Sequence, residues 1–125
     1  QSGPVSSAEI GTPDVRSREQ RVKIIDESDT KKPLTMQMVF RGYCLIRYIA
    51  DDRFREERYF HKGETFRLEA NQQIRLWISN AGSVKTRISG QNVDLGRPGE
   101  VVTKLITWVE DEESTGFELQ IIPVY

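Results

Sequence analysis

Few residues of this sequence are of the types that carry out covalent or acid–base chemistry. Its 125 residues include one histidine, His61, and one cysteine, Cys44. A histidine-based metal site needs further ligands, so His61 is interpreted as a surface turn residue. Cys44 lies in the apolar run 43–50 with no histidine nearby in sequence, and it is interpreted as a small buried thiol. We therefore expect no metal site and no cofactor.

Paired acidic residues are the other candidates for chemistry. Asp51-Asp52 and Glu56-Glu57 would suit acid–base catalysis or calcium binding if their carboxylates converged. Neighbours in an extended chain point to opposite faces, and arginines are interleaved with these pairs. The acidic run 110–113 lacks the alternation and the glycine of a calcium loop. These residues are interpreted as solvated charges, and the absence of a nucleophile–base pair predicts that the chain is not an enzyme.

The charges are unevenly distributed along the chain. Residues 35–109 carry twelve basic and eight acidic side chains, a difference of +4, whereas residues 110–125 carry five acidic and no basic ones. A charge of about +4 is a weak electrostatic basis for nucleic-acid binding, so we expect no nucleic-acid partner. No run approaches the ~18 apolar residues of a membrane span.

The N-terminal segment differs in composition from the rest. Residues 1–20 mix Gly, Pro, Ser and charges with few aliphatic side chains, which predicts a flexible, disordered linker. Residues 21–125 are predicted to form one β-domain, with a first strand at 21–26 and a loop at 27–33.

From Leu34 onward, apolar and polar residues alternate with a period of two. Strands are predicted at 34–40, 43–50, 53–60, 65–70, 74–78, 84–88, 101–109 and 117–124. Short strands at roughly 8–12-residue spacing, separated by Gly, Pro, Asn and Asp, are typical of a sandwich or barrel. We predict an all-β fold: a single β-sandwich, immunoglobulin-like or jelly-roll-like, with seven to nine strands.

The glycines of this region are predicted to shape turns. Gly90 suits a two-residue hairpin that needs positive φ, and the pair Pro98-Gly99 suits the centre of a type II turn. Gly63 separates two predicted strands. Asn80 and Gly82 end another strand with residues that tolerate left-handed geometry.

One pair of strands suggests a contact face. If strands 73–79 and 84–88 are adjacent and antiparallel, one set of alternating side chains packs inward and the other faces outward. The outward set is Arg75, Trp77, Lys85 and Arg87. Such a basic aromatic face suits an anionic partner: acidic lipid head groups, wall polymers or an acidic protein surface. Alternatively, Trp77 is a partly covered edge residue and acids such as Glu69 or the 110–113 run neutralise the cations.

The order of turns resembles a known family. The runs 59–68 and 75–102 resemble the C-terminal extracytoplasmic domain of the RodZ bacterial cell-shape proteins, and the likeness extends over about residues 34–109. The turns that carry it are Lys62-Gly63-Glu64, Asn80-Ala81-Gly82, Ser89-Gly90 and Gly96-Arg97-Pro98-Gly99. The chain departs from the family pattern at Cys44, where a tryptophan is usual, and at Ser89, where asparagine is usual.

The resemblance implies a location and a role. RodZ-like proteins are adaptors whose cytoplasmic part meets the actin-like MreB filament, so a helix-turn-helix domain and one membrane span are expected upstream of this chain. The chain is then an extracytoplasmic, non-catalytic module that contacts proteins of the wall-elongation machinery or cell-wall polymers. The alternative is a carbohydrate-binding module with Trp77, Tyr59 or Tyr48 as a sugar-stacking platform.

Overall fold

The computed structural model of the protein describes residues 22–113 and 115–124. The predicted linker 1–20 lies outside these residues and stays a prediction. The strands are β1 (Lys23–Ser28), β2 (Leu34–Phe40), β3 (Cys44–Ala50), β4 (Glu56–Phe60), β5 (Thr65–Ala70), β6 (Gln73–Ile78), β7 (Val84–Ile88), β8 (Gln91–Val93), β9 (Val102–Glu110) and β10 (Phe117–Pro123). A single 3₁₀ turn is described, at Ala81–Ser83. The described residues include no helix long and apolar enough to cross a membrane.

The strands form two antiparallel sheets, which confirms the all-β fold. The six-stranded sheet has the order β1-β10-β9-β6-β3-β4, and the four-stranded sheet has the order β5-β2-β7-β8. The count of ten described strands exceeds the predicted seven to nine because β8 has three residues, too few to show alternation. It pairs with β7 through the hairpin at Ser89-Gly90.

Alternating side chains of both sheets form the core. In β2 every second residue from Leu34 to Phe40 is buried, and β3 and β6 show the same period. Each large apolar side chain removed from water contributes about 1.5–3 kcal/mol to folding. The rings of Phe40 and Phe60 stack at 4.2 Å, and the buried Trp108 donates its indole N–H to the Lys32 carbonyl at 2.8 Å.

The expected pairing of strands 73–79 and 84–88 is wrong. β6 lies between β3 and β9 in the six-stranded sheet, whereas β7 lies between β2 and β8 in the other sheet. The 3₁₀ turn carries the chain from one sheet to the other. It is held there by a distant segment, because the Ala81 N–H donates to the Glu100 carbonyl at 2.8 Å and the Gly82 N–H to the Arg97 carbonyl at 2.9 Å.

The segments Asn80–Gly82 and Arg97–Glu100 together form a contact that we call the crossover clamp. The Glu100 N–H bonds to the Arg97 carbonyl at 3.0 Å and Gly99 has φ of +80°, as a type II turn requires. The Asn80 side chain accepts the Gly99 N–H at 2.7 Å. Asn80 itself has φ of −148°, so the left-handed geometry expected for it is not used.

Glycine is required at position 82 for a different reason from the one expected. Gly82 is not among the positive-φ glycines, but a Cβ there would overlap the backbone of Arg97 and Pro98. At the other predicted turns, Gly63 and Gly90 have φ of +92° and +84°. Ser89 joins Gly90 at positive φ, which gives the type I′ geometry that matches strand twist.

Candidate interaction surfaces

The four predicted contact residues lie on opposite sides of the sandwich. Arg75 and Trp77 are on the outer face of the six-stranded sheet, which we call the large outer face. Lys85 and Arg87 are on the outer face of the four-stranded sheet, the small outer face. The predicted single patch does not form, because the chain changes sheets between β6 and β7.

The large outer face carries a band of apolar side chains. They are half-buried, alternate with fully buried core residues and are not among the residues that pack against the core. This apolar band consists of Leu45, Ile49, Trp77, Leu105 and Ile122. The band crosses β3, β6, β9 and β10, so it runs across most of the sheet.

Arginines surround Trp77 on this face. Arg47 is its cross-strand neighbour, and the guanidinium carbon lies 4.6 Å from the indole centroid. Glu57 fixes the arginine from the other side through a 3.0 Å ion pair to Nε. A guanidinium over an indole contributes about 0.5–1 kcal/mol at an exposed site. Arg47 therefore covers one face of the indole that a sugar ring would need.

The same arginines border an open cleft. A cavity of about 230 Å³ is lined by Trp77, Ile49 and Thr103 together with Arg47, Arg55 and Arg75. Arg55 and Arg75 make no ion pair within the described part of the chain. We call Arg47, Arg55 and Arg75 the arginine cluster. It makes the β4–β3–β6 side of the large outer face basic.

The opposite side of this face is acidic. Glu27 on β1 and Glu118 on β10 are direct cross-strand partners. Like charges directly opposite each other destabilise a sheet. In residues 22–113 and 115–124 neither carboxylate has an ion-pair partner, although Glu118 accepts a hydrogen bond from Gln120 at 3.0 Å. We call these two residues the glutamate pair.

The small outer face is mostly polar, with Val39 as an exposed apolar exception on β2. Gln37 of β2 has Arg67 and Arg87 as its two cross-strand neighbours. Arg67 is paired with Glu69 at 2.8 Å. Glu69 therefore pairs with Arg67 rather than with any of the three cations of the predicted patch. Lys85 and Arg87 form no ion pair with any described residue.

A third surface consists of exposed aromatic rings beside β3 and β4. Tyr43 and Tyr59 are each 60% exposed, and their ring centroids lie 5.9 Å apart. The His61 ring is perpendicular to that of Tyr43 at 4.8 Å. Tyr48, in contrast, is only 6% exposed and packs against Phe66. It faces the core, so the suggestion that Tyr48 stacks on a sugar is wrong.

The neighbours of Asp51 and Lys104 shift the pKa values of these two residues. Burial alone would raise the pKa of Asp51, but the backbone N–H groups of Asn71, Gln72 and Gln73 at 2.7–3.1 Å, with the Arg53 guanidinium, hold it below its usual 3.8. This carboxylate ties the β3–β4 turn to the β5–β6 turn. Within 22–113 and 115–124, no three His, Cys, Asp or Glu side chains gather as metal ligands.

Burial also lowers the pKa of Lys104, nearby Lys23 lowers it further, and Glu100 opposes both effects. Cys44 is fully buried, as expected for a small apolar thiol, with its sulfur 3.8 Å from the Asn80 carbonyl.

Sequence reasoning missed several surface residues. Arg47 and Tyr43 gain their importance from cross-strand neighbours, which no local pattern shows. Phe54, 89% exposed between two arginines, was placed inside a strand that begins only at Glu56. The sequence signal that could have revealed it is an aromatic residue two positions after the Asp51-Asp52 turn.

Comparison with known proteins identifies a family for most of the β-domain. The sequence profile of the RodZ C-terminal domain matches residues 37–106, which is more than half of the chain and includes β3 to β8 whole. No curated protein and no solved structure matches the chain. The profile covers the crossover clamp and both arginine-bearing strands of the large outer face. The chain belongs to the RodZ C-terminal domain family.

Proposed function

We propose that this chain is the non-catalytic, extracytoplasmic module of a membrane-anchored RodZ-like protein. It supports cell-shape maintenance by contacting proteins of the wall-elongation machinery or wall material. Membership of the family supports the cell-shape role. The observation that carries a binding role is that Lys85 and Arg87 lie side by side on an exposed sheet face and form no ion pair with any described residue.

The small outer face suits an anionic partner. Lys85 and Arg87 are alternate residues of β7, so they point the same way about 7 Å apart along the strand. Both are exposed, and the nearest cross-strand cation, Arg67, already has its own carboxylate. Two unpaired cations contribute little to folding, whereas they complement carboxylates or phosphates across an interface.

Complementation of cell shape by the full-length protein tests this proposal. We expect Lys85→Glu with Arg87→Glu to fold normally and to lose shape control, since a reversed charge repels an anionic partner. The matched control is Lys32→Glu with Lys62→Glu, which makes the same change of charge at two exposed loop positions. A reversed β7 pair that still gives normal cell shape would refute the contact role.

A carbohydrate-binding function is the second candidate, and Tyr43 and Tyr59 are the observation that favours it. Exposed aromatic rings stack on the apolar faces of sugars, and Trp77 is less suited because Arg47 covers one side of its ring. Pull-down with purified peptidoglycan distinguishes the candidates. Loss of binding in Tyr43→Ala and Tyr59→Ala, with Lys85→Glu/Arg87→Glu unaffected, would favour the glycan; the reverse pattern would favour the cationic face.

A further inference from the structure

We propose that the large outer face pairs with the same face of a second copy of this chain. The proposal uses the apolar band, the arginine cluster and the glutamate pair, none of which belongs to the cationic pair on the small outer face. The two proposals can therefore fail independently.

The first argument is the difference between the two outer faces. An antiparallel sheet with one face in water normally shows polar residues on that face. The small outer face largely follows this rule, with Gln37, Arg67 and Arg87 in one cross-strand row and Val39 as the exception. The large outer face departs from it, because Leu45 and Ile49 occupy the outward positions on either side of Arg47 in β3. Arg47 and Arg75 interrupt the band, yet five large apolar side chains on one outer face are typical of a surface that another protein covers.

The second argument is self-complementary charge. The arginine cluster lies towards the β4 edge of the large outer face, among the band residues of β3 and β6, and the glutamate pair lies at the β1 edge. In a two-fold pair, each patch of one copy meets the complementary patch of the other. A two-fold axis in the plane of the face, midway between the clusters, lays the arginines of each copy over the glutamates of its partner. The contact also relieves the repulsion between Glu27 and Glu118, which form no ion pair with any residue of 22–113 or 115–124.

The third argument is area. Five inter-strand gaps of about 4.8 Å and strands about 20 Å long give each face a projected area of roughly 480 Å². The roughness of the side chains raises the total accessible surface buried by two copies to about 1,200 Å², the lower limit for a specific stable interface. The face is thus large enough for a reversible dimer.

Pairing of the large outer faces has a consequence for binding. It leaves the two small outer faces on opposite outer sides of the dimer. Each copy then presents its Lys85 and Arg87 to a separate anionic site, and simultaneous binding of two sites raises the apparent affinity without any new contact.

Two charge-reversal variants test the pairing. Arg55→Glu with Arg75→Glu makes the face acidic throughout, and Glu27→Arg with Glu118→Arg makes it basic throughout. We expect the unmodified 125-residue chain to sediment at twice its monomer mass of 14.4 kDa as its concentration rises. Each variant alone is expected to dimerise at least about tenfold more weakly, and an equimolar mixture of the two to recover a 1:1 dimer.

Recovery in the mixture is the decisive result, because a variant that merely folds poorly does not regain binding when mixed. Thermal melts of each variant check folding directly. The control Lys85→Glu with Arg87→Glu is expected to leave dimerisation unchanged. The proposal would be overturned if the unmodified chain stayed monomeric up to about 1 mM, because the free energy of dimerisation would then be weaker than ~4 kcal/mol. A mixture of the two variants that stays monomeric would overturn it as well.

Discussion

Replacing Gly82 with alanine tests whether the crossover clamp determines how the chain passes between the sheets. The added Cβ would overlap the backbone of Arg97 and Pro98, and a backbone cannot rotate away as a side chain can. The two segments must separate, which breaks the hydrogen bonds from Ala81 N to Glu100 O and from Gly82 N to Arg97 O.

The magnitude follows from these contacts. Two backbone hydrogen bonds contribute about 1 kcal/mol each, and the displaced turn adds about 1–3 kcal/mol of strain. We expect Gly82→Ala to lower the free energy of unfolding by about 3–5 kcal/mol, a large part of the ~5–15 kcal/mol typical of a domain. With a urea slope of about 1–3 kcal/mol per molar, the midpoint falls by roughly 2 M.

The matched control is Gly63→Ala. Gly63 has φ of +92° but no atom within 4 Å of an added Cβ, so only the cost of left-handed geometry, about 1–2 kcal/mol, applies. Urea unfolding followed by circular dichroism compares the two variants. If Gly82→Ala destabilises the protein no more than Gly63→Ala does, the segments are free to separate and the clamp does not hold the crossover.

Three other residues give shorter tests. Asp51→Asn should lower the free energy of unfolding at neutral pH, measured by urea denaturation, by about 1 kcal/mol, because the carboxylate accepts hydrogen bonds from three backbone N–H groups. The folded-state pKa is lowered, so this difference should disappear as the pH falls below 3.8; a constant difference would contradict the electrostatic cause. Lys104→Met should raise the melting temperature at neutral pH, because burial disfavours the charged ammonium, and the gain should fade at high pH as Lys104 loses its charge. No gain at neutral pH would mean that the ammonium is well solvated. Cys44 should react slowly with thiol reagents until denaturant is added, whereas rapid labelling of the native protein would contradict its burial.

The strands could be predicted from sequence wherever one face is buried. In β2 and β6, strict alternation places each residue on the core or solvent side before any partner is known. The hairpin at Ser89-Gly90 could also be predicted from its own residues, since two positions with positive φ determine its turn. β1 extends to Ser28, two residues past its predicted end, because pairing with β10 rather than its own alternation sets its length.

The candidate site could not be predicted in the same way. A five-residue connection between Ile78 and Val84 suits a hairpin as well as a crossover, and hydrogen bonds to a segment about fifteen residues away decide between them. Long-range contacts of that kind leave no periodic signal. The sequence therefore predicted correctly that Arg75 and Lys85 face outward from their strands. It did not predict that the two strands belong to different sheets, which places these residues on opposite sides of the sandwich.

The two tryptophans lie in contrasting surroundings, so intrinsic tryptophan fluorescence can report on two different parts of the protein. Trp108 is buried in the sandwich, whereas Trp77 lies half-exposed under the Arg47 guanidinium. Emission from Trp108 is expected at short wavelength and shielded from soluble quenchers, and emission from Trp77 is expected to be red-shifted and quenchable. Covering of the large outer face then appears as loss of the quenchable component, whereas unfolding exposes both indoles. A single fluorescence titration separates association from denaturation without any added label.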